Sequence, residues 1–99
     1  MIVFFATLRV KPGKEQQFEM LQRELSSLTH ESEPGTIVYD VVRLRDRTGQ
    51  YAVYARFQDP AAFELHQATP FHDRLVPPIL ECLDGGAAGM DLAFYDWVG

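Results

Sequence analysis

Four stretches of this chain are composed for β-strands, and their placement around two helical stretches leaves few ways to fold. "IVFFATLRV" (2–10), "TIVYDVVRL" (36–44), "YAVYARF" (51–57) and "MDLAFYDWV" (90–98) are rich in β-branched and aromatic residues. The first is closed by Pro12-Gly13. The segment after it carries Phe18, Leu21, Leu25 and Leu28 at spacings of 3, 4 and 3, one stripe of an amphipathic helix that ends at Pro34-Gly35. "RDRTGQ", with Gly49, joins the second and third strands as an antiparallel hairpin. Asp59-Pro60 reads as the N-cap and first residue of a further helix that stops near Pro70. A short helical piece, "FHDRL", then meets Pro77-Pro78, where two lost hydrogen bonds predict a break. The order β-α-β-β-α-β is the split βαβ arrangement: an α+β, ferredoxin-like fold with a four-stranded antiparallel sheet and the helices on one face. With no repeat or linker, residues 1–99 make one domain.

Side chains alternate across a strand, so parity assigns faces. Ile2, Phe4, Ala6, Leu8 and Val10 share one face of the first strand, with Val3 and Phe5 opposite. Ile37, Tyr39 and Val41 oppose Val38, Val42 and Leu44 in the second, and Leu92 and Phe94 oppose Ala93, Tyr95 and Trp97 in the last. Both faces are apolar, yet helices on one side cover only one of them. The expected solution is a homodimer, sheet face against sheet face.

A net charge of −5, with basic residues scattered, argues against nucleic acid as a partner. The single cysteine, Cys82, excludes an internal disulfide and a cysteine-based zinc site and fits a reducing cytoplasm. "MIVFFATLRV" has its basic residues after the apolar run, so it reads as a strand and not a leader. No run is long enough to cross a membrane.

Chemistry concentrates in "ELHQATPFHDRL" (64–75). His66 and His72 are six residues apart, about 240° around an ideal helix, so they are not expected to converge on a metal. His72 is expected on the surface of the second helical piece. His66 lies one turn after Phe63, on the face expected to meet the sheet. It reads either as a core histidine with one satisfied hydrogen bond or as a shielded proton-transfer group. Tyr39, Tyr51 and Tyr54 on the hairpin read as packing aromatics. "DGGAAG" follows a helix and precedes a strand, the wrong order for a phosphate loop.

The segments "ATLRVKPGKEQQFEMLQREL", "EPGTIVYDVVR", "YAVYARFQDPAAFELHQATPFHDRL" and "MDLAFYDW" resemble the antibiotic biosynthesis monooxygenase family over essentially the whole chain. The most specific pieces are Glu33-Pro34-Gly35 followed by Tyr39, and "AAFELHQATPFH" with His66. The resemblance implies a dimeric α/β barrel of ferredoxin-like protomers with a pocket between sheet and helices. It also implies a monooxygenase that oxidises a small aromatic, phenolic or quinol compound with O₂ and no metal, flavin or haem. His66 would be the catalytic residue. Tyr39, Tyr54, Phe57, Phe63, Phe71 and His72 would bind substrate. An isomerase using the same histidine, and a non-catalytic dimeric ligand-binding domain, are the other readings the family allows. The chain departs from many members at Ala55 and Phe57, where they carry Glu and Trp. It also reads Phe71-His72 where they have histidine then phenylalanine. Thr7, His66 and Val76 stand where the haem-degrading branch has Asn, Trp and His, which argues against haem.

Overall fold

A computed structural model describes all residues, 1–99. The elements run β1 (Ile2–Arg9), α1 (Glu15–Ser32), β2 (Thr36–Arg43), β3 (Gln50–Phe57), α2 (Pro60–Ala68), α3 (Pro70–Glu81), a 3₁₀ turn (Gly86–Gly89) and β4 (Met90–Tyr95). The sheet order is β2-β3-β1-β4, every neighbouring pair antiparallel, as the split βαβ arrangement requires. No helix is long and apolar enough to cross a membrane.

The alternation in β3 is complete. Tyr51, Val53, Ala55 and Phe57 are buried under the helices, and the residues between them face the other way. Phe4, Ala6 and Leu8 of β1 extend this inner face, opposite Phe94, Leu92 and Met90 of β4. Two expected details change. Ile37 is exposed, not on the inner face, because the β2–β3 register shifts between Thr36 and Val38 and takes Ile37 out of the alternation. β4 ends at Tyr95, so Trp97 lies beyond the strand, where its ring takes the Arg56 guanidinium at 4.0 Å.

The helices also differ in part from expectation. The buried stripe of α1 is Phe18, Gln22, Leu25 and Thr29, with Leu21 and Leu28 at its flank, so two polar side chains occupy the line facing the sheet. α3 does not break at Pro77-Pro78. The carbonyls that lose their helical partners belong to Asp73 and Arg74, both exposed, where water can replace the missing N–H groups. Leu75 and Ile79, on the opposite side, bury fully and hold the helix to the core.

Candidate functional site

The site begins at the end of α1. Glu33 is the helix C-cap, followed by Pro34-Gly35 and the start of β2. Gly35 has no side chain because it has no room for one: a Cβ there would stand 2.6 Å from the Ala62 Cβ. This close approach brings α2 against the turn and places His66, one turn beyond Ala62, above Glu33. Asp59 fixes the start of α2 by accepting a hydrogen bond from the Ala62 backbone N–H at 2.8 Å.

The result is a buried dyad. His66 Nδ1 lies 3.0 and 3.1 Å from the two carboxylate oxygens of Glu33, and both side chains are almost fully enclosed. The Thr36 hydroxyl donates to the same carboxylate at 2.9 Å. Phe57 and Tyr39 pack on the imidazole, each with ring centroids just over 5 Å away. A carboxylate facing Nδ1 fixes the proton on that nitrogen, which leaves Nε2 as an unprotonated acceptor with no protein partner. Burial lowers the pKa of His66 and outweighs the opposing pull of the Glu33 charge. Burial, and then the Glu33 charge, raise the Tyr39 phenol far above its ordinary value.

His72 overturns the expectation that the two histidines stay apart. Their rings meet edge to face at a centroid distance of 4.9 Å. The reason is the bend at Thr69, between the two helices. The Thr69 hydroxyl donates to the His66 carbonyl at 3.0 Å and accepts from the His72 backbone N–H at 3.3 Å, so it ties the end of α2 to the start of α3. His72 is half-buried, not on the surface, and its pKa is lowered by burial and then by His66. No group of three or more His, Cys, Asp or Glu side chains is placed to hold a metal ion.

The two histidines open onto a cavity of about 210 Å³ between sheet and helices. Twelve of its sixteen lining residues are hydrophobic, among them Phe4, Val53, Phe63 and Leu92, and Tyr39, Gln22 and Gln67 also reach it. Of the residues expected to bind substrate, Tyr39, Phe63 and His72 line this cavity. Phe57 packs beneath His66 and Phe71 packs against the core, both outside the lining. Tyr54 is a correction: three residues before Phe57 in a strand, it points to the opposite face and cannot wall this cavity. Glu33 was missed as a site residue. The available signal was an acid directly before Pro-Gly at a helix end, in the same segment that carries the family resemblance. A wider groove of about 430 Å³ between α1 and β2 is polar, and its Glu19 is already tied to Arg23, Arg43 and Tyr51.

A protein of Caulobacter crescentus classed with the antibiotic biosynthesis monooxygenases superposes with a TM-score of 0.90 at 26% identity, covering 99% of this chain and 90% of its own. An antibiotic biosynthesis monooxygenase of solved structure matches at 28% identity and a TM-score of 0.85 over the full length of both chains. A conserved protein from Methanosarcina mazei matches at 26% identity and 0.85, covering 95% of this chain and 89% of its own. No curated protein matches. The family model described as antibiotic biosynthesis monooxygenase matches residues 1–77, which span the first three strands, both halves of the Glu33–His66 dyad and His72. The chain belongs to the antibiotic biosynthesis monooxygenase family.

Proposed function

We propose that this protein is a cofactor-independent monooxygenase acting on a small aromatic, phenolic or quinol compound, with His66 as general base and Glu33 as the group that orients it. The observation carrying this reading is the buried imidazole whose Nδ1 faces both Glu33 oxygens and whose other nitrogen is free in an apolar cavity. Family membership supports the monooxygenase class. His66 Nε2 takes the proton from a ring hydroxyl, and the Nδ1–H···carboxylate contact stabilises the imidazolium that forms. The substrate anion is electron-rich enough to reduce O₂ itself. One oxygen atom then enters at a ring CH carbon, which becomes a carbonyl, and the other leaves as water with that carbon's hydrogen and the hydroxyl proton held by His66. The substrate supplies every electron. The protein supplies the base, the dry walls of Phe4, Phe63 and Val53, and a fixed orientation.

The reading includes a homodimer through the open sheet face, where Phe5, Val42, Tyr95 and Trp97 are exposed together. The lone buried thiol of Cys82 suits a reducing compartment such as the cytoplasm.

The test is O₂ consumption with a panel of quinols by wild type and His66→Gln. Glutamine is the better replacement because alanine would leave the Glu33 carboxylate buried with Thr36 alone. A positioned base is worth about 10²–10⁴-fold, so turnover should fall by that factor with the melting temperature little changed. Equal turnover by the two proteins would remove His66 from the mechanism. Substrate isomerisation without O₂ would assign the same base to an isomerase instead.

A further inference from the structure

The cavity carries polar groups at two places. His66 gathers Tyr39 and His72 around it at one, with ring centroids 5.2 and 4.9 Å away, and Gln22 of α1 is at the other; Gln67 and the apolar Ala6, Val53, Val76 and Ile79 are also in the lining. Gln22 is 3% exposed, and its Oε1, closed to solvent, has no hydrogen-bond partner. A buried carboxamide oxygen left unpaired is destabilising, and methionine or leucine would fill the same stripe of α1 without that cost. Thr29 Oγ1 is also unpaired, but Thr29 does not line the cavity. Of the fully buried side-chain atoms left unpaired, Gln22 Oε1 alone belongs to a residue that lines the cavity.

The register of the fold gives the separation. Phe18 packs on Tyr51 with ring centroids 4.6 Å apart, whereas His66 stands over Phe57. Tyr51 and Phe57 are six residues apart on β3, roughly 20 Å at about 3.3 Å per residue. α1 runs from the first toward the second, and Gln22 is one turn past Phe18, which leaves on the order of 10 Å between the two polar groups.

We infer that Gln22 is a specificity-determining residue, its carboxamide hydrogen-bonding a second oxygen or nitrogen function of the substrate, remote from the hydroxyl that meets His66. The inference rests on the proposed function for the His66 end and narrows it to flat molecules with a polar group at each end. The volume of about 210 Å³ is below the roughly 300–1,000 Å³ of drug-sized sites, which limits such a molecule to one or two rings.

Calorimetric titration with naphthol and with a dihydroxynaphthalene bearing its hydroxyls on opposite rings tests the inference. Wild type should prefer the diol by about tenfold, the worth of one neutral hydrogen bond. Gln22→Met should bind the two equally and melt at a higher temperature than wild type, and Gln22→Leu repeats the test should the first variant fail to fold. A wild type that binds both compounds equally, or a variant that keeps the preference, overturns the role of Gln22. Binding of neither compound overturns the phenolic reading along with it. A diol preference without O₂ consumption when the panel of quinols is offered upholds Gln22 and counts against the monooxygenase reading alone.

Discussion

The two faces of the sheet share one sequence pattern and have opposite fates. On the inner face Ala55 and Phe57 are fully buried, and on the outer face Phe5 is 36% exposed, Val42 55% and Tyr95 54%. Period-two alternation makes both faces apolar, but only the inner one has helices over it, and these leave Leu92 and Phe94 at its β4 edge about half exposed. Sealing is what permits chemistry. Inside, a carboxylate and an imidazole can be held together away from water because each satisfies the other, and burial lowers the pKa of the imidazole. The outer face carries no such cluster. It offers uncovered apolar area, on which the proposed homodimer rests.

Breaking the outer face should have the largest effect. Phe5→Glu with Val42→Glu places carboxylates where two copies would meet around a two-fold axis, and like charges there oppose association. Light scattering should give a dimer mass for wild type and a monomer mass for the double variant. A monomeric wild type at micromolar concentration would rule out the sheet-to-sheet dimer.

Breaking the seam that seals the inner face comes next. Gly35→Ala pushes a methyl group into Ala62 at 2.6 Å, and overpacking of this kind costs about 1–3 kcal/mol. The urea midpoint should drop accordingly. Ala62→Gly in the same chain should recover most of that loss by emptying the opposing position. No recovery would show that the helix–turn contact is not the source of the strain.

Much of this comparison was legible in the sequence. The strand order, the Asp59 cap, the two-sided apolar pattern and the inward direction of His66 all follow from local rules. What was not legible depended on contacts between distant elements. Glu33 reads as a surface acid at a helix end, and only the approach of Gly35 to Ala62 buries it. His66 and His72 diverge on a straight helix and converge through one threonine hydroxyl at a bend. Pro77-Pro78 stay helical because the carbonyls they orphan face water while Leu75 and Ile79 hold the core. Tyr54 is a different case, because three residues from Phe57 in a strand its parity alone puts it on the opposite face.

Within the inner face, Glu33→Gln separates orientation from charge. The amide oxygen can still accept from His66 Nδ1–H and from Thr36, so the imidazole keeps its place, but a charge-assisted hydrogen bond becomes a neutral one. The difference is about 1–1.5 kcal/mol, or roughly tenfold in kcat, with KM little changed. The Glu33 charge raises the His66 pKa, so the acidic limb of the pH–rate profile should move to lower pH in this variant. A limb that stays in place would mean that the titrating group is not His66.

The smallest effect distinguishes the faces by proton linkage. His66 and His72 both have pKa values below the ordinary 6.5, each chiefly through burial, so around and below that pH the unfolded chain binds protons that the folded chain refuses. Stability therefore rises with pH across this window. It is complete above the unfolded-state value, declines as pH falls through about 6.5, and levels off once the folded-state values are passed. For His66 the slope cannot exceed about 1.4 kcal/mol per pH unit, the worth of one proton. Glu19, outside the cavity, has its carboxyl pKa lowered mainly by the Tyr51 hydroxyl, so its stabilisation is lost only on acidification below about 4.5 and does not overlap. Urea unfolding at pH 7.5, 6.5 and 5.5, at one protein concentration so that association does not enter, should show stability declining through this range. His66→Gln with His72→Gln should flatten the decline. A wild-type curve that is flat over the same range would mean that both imidazoles are free to protonate in the folded protein, and the inner face would then be as wet as the outer one.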